Sequence, residues 1–218
     1  MAAIPSAERA IRVDPARLAG WITRFSERHG AVDPQLDDRR LRLIAADGAI
    51  AEIALRWGPL PSDHDPLASV ITAFTTDRTV GALLVRRKAH GVGIFDGPRL
   101  RLSRHDSHYV QGRTKAGGWS QQRYARRRSN QADRAFAEAA EDALDLLLPQ
   151  LAELEAVVLG GDGVAARAVL ETPGLEPLRA LTKSGRHPVY SVPDPNRSVL
   201  EGFGSIFRAV PIRLNELA

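Results

Sequence analysis

The sequence predicts a mixed α/β protein with a small α+β extension at its N-terminal end. Three features of the chain lead there. Residues 80–85 and 92–95 are apolar runs bounded by turn residues, and after Asp96-Gly97-Pro98 the pair Leu100 and Leu102 alternates with Arg99 and Arg101, as in a β meander. A long helical pattern then runs from about Gln121 to Leu148, its second half placing Ala132, Ala135, Phe136, Ala139, Ala140, Ala143, Leu144, Leu147 and Leu148 on a 3.6-residue period. Beyond Pro149, strand-type and helix-type segments alternate, the pattern of an α/β lobe.

Taken in order, Asp14-Pro15 opens a first helix, with Asp at the N-cap and Pro at the first helical position. Leu18, Trp21, Ile22 and Phe25 share one face of it, and Gly30 stops it. Residues 40–57 read as a hairpin about Asp47-Gly48, the second arm alternating Ile53, Leu55 and Trp57. The Pro-rich stretch 59–66 reads as a connector, dividing an extension of residues 1–65 from a main domain of 66–218. After the meander, a short strand at 108–110 leads into a glycine-rich loop. The C-terminal part reads as strand 154–159, helix 163–170, strand 187–192, helix 196–208 and a closing strand 210–217.

A chain of 218 residues buries about 70% of its unfolded surface and needs no covalent staple. Cysteine is absent, which excludes disulfides and thiolate metal sites and fits a reducing compartment. Residues 1–9 have no apolar segment of signal-peptide length, and no later run approaches the ~20 apolar residues of a membrane span, so the expectation is a soluble cytoplasmic protein without a membrane partner.

Charge singles out one stretch. Between Arg113 and Arg134 seven basic residues (Arg113, Lys115, Arg123, Arg126, Arg127, Arg128, Arg134) face one acid, Asp133, a surplus of +6 in a chain whose total is +4. The remainder is therefore net acidic. Gly117 and Gly118 free the backbone just before it, Ser120 stands at an N-cap position, and a basic helix begins at Gln121. Cations at a helix N-terminus are unfavourable by roughly 0.3–1 kcal/mol each. Arginines gathered there beside free backbone amides suit phosphate. Between Gln121 and Gln131 only Tyr124 and Ala125 are neither polar nor charged, so this half of the helix projects while the half beyond Ala132 docks.

Other motifs carry less. Gly161-Asp162-Gly163 with Ala166 follows a strand and opens a helix, yet lacks a well-placed ribose-binding acid, and reads as a tight connection rather than a dinucleotide turn. His105-Asp106-Ser107-His108 could offer metal ligands, but its two histidines have no third partner in sight, so no metal is expected. Glu138, Glu141, Asp142 and Asp145 read as a solvated outer face. With no Gly-x-Ser-x-Gly and no cysteine, covalent hydrolase chemistry lacks support. What remains is a glutamine among backbone amides. A carboxamide is no general base near pH 7, but it can orient water and stabilise a developing oxyanion, one such donor being worth about 2.7–4 kcal/mol. That suffices for an ester already held in place by other contacts.

The stretch from Gly117 to Arg128 resembles the catalytic loop and following helix of the Vms-like release factors of the small actinobacterial type, relatives of the middle domain of eukaryotic and archaeal peptide-chain release factors. The resemblance covers the chain from about Val80 onward. It implies an RNase H-like release-factor middle-domain fold, with a mixed sheet and a long helix after the catalytic loop. It also implies peptidyl-tRNA hydrolysis on stalled or split large ribosomal subunits, in translation and ribosome quality control. Gly118-x-x-Gln121 matches the family's Gly-x-x-Gln motif, making Gln121 catalytic with Gly117 and Gly118, and Gln122 and Ser120 the further catalytic candidates. Arg113, Lys115, Trp119, Arg123, Arg126, Arg127 and Arg128 would contact RNA. Implied partners are the large subunit, its rRNA and peptidyl-tRNA, engaged by a monomer without a cofactor. The alternatives are a non-catalytic ribosome- or RNA-binding module and, third, a nuclease.

Overall fold

The computed structural model describes residues 9–58, 60, 65–107, 135–184 and 186–218 of the chain. They fall into two compact units, Met1–Thr76 with Arg208–Ala218, and Asp77–Phe207.

In the first unit the Asp14-Pro15 signal works as its chemistry dictates. Asp14 Oδ1 accepts from the Ala16 amide at 2.9 Å, a 3-10 turn Pro15–Arg17 follows, and helix α1 runs Leu18–His29. It ends at Gly30, whose φ of 86° is cheap only for glycine and whose N–H bonds Ser26 O at 2.9 Å. The same device recurs at Asp65, which accepts from the Leu67 amide at 2.8 Å and caps helix α2, Pro66–Thr75. The Pro-rich pattern predicts Asp65 and Pro66 as the end of the connector; in the structure they start a helix.

Five strands form one antiparallel sheet: β1 (Arg9–Val13), β2 (Val32–Leu36), β3 (Arg40–Ala45), β4 (Ile50–Ala54) and, from the far end of the chain, β9 (Val210–Leu214). Their order is β1-β9-β4-β3-β2. β3 and β4 are the expected hairpin, but its second arm stops at Ala54, leaving Trp57 beyond the strand. One face of the sheet buries Leu41, Leu43, Ala51, Ile53, Ile212 and Leu214 against Leu18, Ile22 and Phe25 of α1 and Val70 and Phe74 of α2. Each fully buried Leu or Ile contributes about 1.5–3 kcal/mol. The closing strand thus completes this sheet, and packing assigns both α2 and β9 to the first unit instead of to a 66–218 domain.

The second unit is built on β5 (Thr79–Arg86), β6 (Ala89–Asp96), β7 (Arg99–Ser107) and β8 (Ala156–Gly161), in the order β7-β6-β5-β8. The first three pair antiparallel and β8 lies parallel to β5. One face carries helix α3, described over residues 135–146, with α4 (Gly163–Leu170) and α5 (Glu176–Ser184). The other carries α6 (Arg197–Arg208), whose Phe203 and Phe207 lie against Phe95 with ring centroids 6.4 and 5.3 Å away. A Cβ on Gly91 would stand 2.9 Å from Leu200 Cδ1, so glycine there lets α6 lie close. An antiparallel meander, a parallel fourth strand and helices on both faces make the RNase H-like mixed α/β arrangement that the resemblance implies. Of the strand expected at 187–192 only a bridge from Tyr190 to Gly160 forms, and α5 had no sequence signal read for it.

Candidate catalytic segment and its anchorage

Every residue singled out for chemistry or RNA contact falls between β7 and α3: Arg113, Lys115, Gly117, Gly118, Trp119, Ser120, Gln121, Gln122, Arg123, Arg126, Arg127 and Arg128. All of them, with His108 and the strand expected at 108–110, lie outside the described residues. What the structure shows is how the two ends of this segment are held.

β7 delivers the chain. Its pairing with β6 steps between Phe95↔Leu100 and Ile94↔Leu102, leaving Arg101 as an extra, unpaired residue. Such a bulge re-aims the side chains that follow. Leu102, Arg104 and Asp106 consequently share the face of Ile94, Val92 and His90, the face on which α3 packs. α3 receives the chain and docks through Ala135, Ala139, Ala140 and Ala143, whose small side chains admit a close approach, with Leu147 buried just after it.

A polar clamp fastens the two. His90 is 1% exposed, and its Nε2 lies 2.8 Å from Asp142 Oδ2 on α3. Arg104 Nη1 donates to the other oxygen of the same carboxylate at 3.3 Å and to Asp145 Oδ2 at 2.8 Å. Those two carboxylates, Asp145 first, hold the Arg104 guanidinium still more firmly protonated. His90 Nδ1 is buried without a partner among the described residues, so the ring is held through Nε2 and Asp142. A hydrogen bond to a charged acceptor contributes about 1.5–3 kcal/mol. Farther from the segment, Arg101 Nη2 donates to Glu153 Oε2 at 2.9 Å and Gln150 Oε1 at 3.2 Å. Asp142 is therefore not part of a solvated face as the sequence reading had it; its side chain is 22% exposed and both oxygens are engaged. The signal that would have found its partner is the lone histidine in the otherwise apolar run of β6.

The weaker motifs resolve structurally. Gly161 has φ 86°, and a Cβ there would meet Val85 O at 2.3 Å. Asp162 caps α4, accepting from the Val164 and Ala165 amides at 2.9 and 3.2 Å. A carboxylate thus occupies the helix N-terminus where a pyrophosphate would sit. The neighbouring cavity, lined by Val157, Leu159, Arg167, Thr182 and His187, measures about 90 Å³, too small for a dinucleotide. His105 pairs with Gly91 and Asp106 with His90, so they point to opposite faces of β7. Among the described residues no group of three or more His, Asp or Glu converges as a metal site, and no helix is long and apolar enough to cross a membrane.

The family described as Actinobacteria/chloroflexi VLRF1 release factor matches residues 78–213. Similar relatives include peptide chain release factor subunit 1 of Aeropyrum pernix, 34% identical over 109 residues, covering 46% of this chain and 29% of that protein. The Thermococcus sibiricus protein of the same name is 30% identical over 93 residues, covering 42% and 22%. The chain thus spans less than a third of the length of these relatives. Among solved structures, an archaeal translation termination factor, aRF1, is similar at a TM-score of 0.40 and 16% identity, covering 88% of this chain and 62% of that one.

Proposed function

The chain belongs to the Actinobacteria/chloroflexi VLRF1 release-factor family, and from that premise we propose that it hydrolyses the ester joining a nascent peptide to tRNA on stalled large ribosomal subunits. The observation that carries this reading is the sequence Gly118-x-x-Gln121 followed directly by an arginine-rich run, in the stretch between β7 and α3 and inside the family match. Gln121 orients the attacking water through its carboxamide, and the backbone amides of Gly117 to Gln121 bind the oxyanion that develops on the ester carbonyl. The displaced tRNA ribose hydroxyl leaves with a proton from the water. No covalent intermediate is needed.

The chain's own contribution is positional. Arg123, Arg126, Arg127 and Arg128, with Arg113, Lys115 and Trp119, hold rRNA or tRNA, so that binding energy away from the ester brings Gln121 to it. The clamp on Asp142 supplies the fixed end against which such a segment works: water placement tolerates displacements well under 1 Å, and α3 is tied to both β6 and β7. Release of peptide from large subunits carrying peptidyl-tRNA, compared between wild type and Gln121→Ala, tests the reading. A module that only docks gives salt-sensitive ribosome binding and no release at any excess of protein.

A further inference from the structure

The face of the first unit's sheet turned away from α1 and α2 carries an arginine band that the release reading does not use. Outward positions, fixed by the register, are Ala10 and Arg12 on β1, Pro211 and Arg213 on β9, Ile50 and Glu52 on β4, Arg40, Arg42 and Ile44 on β3, and Asp33 and Gln35 on β2. The four arginines span four adjacent strands, a width of about 14 Å at the usual strand spacing. Two acids share this face, Asp33 on the edge strand β2, opposite Ile44, and Glu52 on β4. Glu52 is buried and pairs with Arg40 and Arg42 at 3.2 and 3.5 Å, and Asp37 pairs with Arg40 as well at 3.0 Å, so the uncompensated charge of the band lies at Arg12 and Arg213.

Arg12 and Arg213 behave differently. Both are exposed, and neither has an ion pair among the described residues, although Arg213 stands directly opposite Glu52 in the register. Arg12 is opposite Pro211 and Ala10 opposite Arg213, which makes the two arginines diagonal neighbours at roughly 7–8 Å. At that backbone separation the two long side chains can close on one anion between them. Edge protection accounts for a charge on β1, the edge strand, but not for Arg213 on the second strand or Arg42 on the fourth.

We infer that this face binds the phosphate backbone of folded RNA, as a second RNA contact in a different unit from the Gln121 segment. Guanidinium forks match phosphate oxygens in pairs. The band has no aromatic side chain on which a base could stack, so recognition is of backbone and shape, favouring duplex over unpaired strands and carrying no sequence preference. The inference does not depend on hydrolysis.

The test is binding of the full chain to a fluorescent RNA duplex of about 20 base pairs, with the affinity followed between about 50 and 200 mM salt. To remove the contribution of the basic run at 126–128, the comparison is made in an Arg126→Ala plus Arg127→Ala background. Adding Arg12→Gln and Arg213→Gln, both on exposed side chains, should weaken binding by roughly tenfold and reduce the slope of log affinity against log salt by about 1.4–1.8, two phosphate contacts' worth. Arg12→Lys with Arg213→Lys should keep most of the slope. Unchanged affinity and slope in the Gln pair, with an unchanged thermal melt, would overturn the inference. So would an acidic polypeptide, poly-glutamate, binding through these two arginines while RNA binding ignores them. Neither readout involves peptidyl-tRNA, so a negative release assay and a flat salt slope are separable failures.

Discussion

His90 and Asp142 are 52 positions apart and meet at 2.8 Å, a buried imidazole near the start of β6 held to a carboxylate of α3. Asp142→Ala leaves His90 Nε2 buried without its partner and should destabilise the protein by about 1–3 kcal/mol. Asp145, whose side chain is 62% exposed, shares only Arg104, and its removal should move stability far less. Urea unfolding of the two variants checks this. Equal small effects would mean that the clamp holds nothing.

The turn into α4 offers a sharper steric test. Gly161→Ala puts a methyl group 2.3 Å from Val85 O on a backbone at φ 86°, so the strand or the turn must shift, at a cost of at least about 1–3 kcal/mol. Asp162→Ala at the next position removes only the cap and should cost about 0.5–2 kcal/mol. Thermal melts that rank the two the other way would contradict the packing described for β5 and β8.

Two carboxyls of the first unit couple its stability to acid. Asp47 lies below its ordinary value of 3.8 because the Ala49 amide donates to it, with His29 Nδ1 adding a second bond at 2.8 Å. Asp37 is lowered by the Arg39 amide first, then by the Arg40 side chain and amide. A carboxyl whose pKa is lower folded than unfolded contributes stability that is complete above the unfolded value and lost as pH falls through the folded one. Stability should therefore decline below about pH 4, and Asp37→Asn with Asp47→Asn should flatten that decline while lowering stability at pH 7. Denaturation midpoints at a series of pH values measure it, and an unaltered acid limb in the double variant would refute it.

The local signals were legible because they need only neighbours. Asp14, Pro15 and Gly30 bracket the first helix by capping and by a positive φ, and the alanine stripe of α3 shows its docked side without reference to anything else. Elements defined by distant partners were not. β1 is five residues with arginines at two of them, and β2 contains Pro34, which an edge strand tolerates because nothing beyond it needs that amide. Both become strands only through pairing, β1 with a segment some 200 residues away. The motif on which the proposed chemistry rests needs only near neighbours, since Gly118 and Gln121 are close in sequence. The histidine that anchors the neighbouring helix could not be read that way, because Asp142 looks like any acid on a solvated face until β6 is folded against it.

The arginine run at 126–128 makes its own prediction. Arg126→Ala with Arg127→Ala should lower the affinity for large subunits and reduce the steepness of its salt dependence by somewhat under one unit per lost phosphate contact. An unchanged slope would remove these arginines from the nucleic-acid contact.

The most direct measurement is single-turnover release of peptide from isolated large subunits carrying peptidyl-tRNA, with wild type, Gln121→Ala and Gln122→Ala at saturating protein. The account predicts that Gln121→Ala loses about 10²–10³ in rate, the value of one positioned polar group, while it still binds the subunit, and that Gln122→Ala stays close to wild type. Release by Gln121→Ala at the wild-type rate would contradict it.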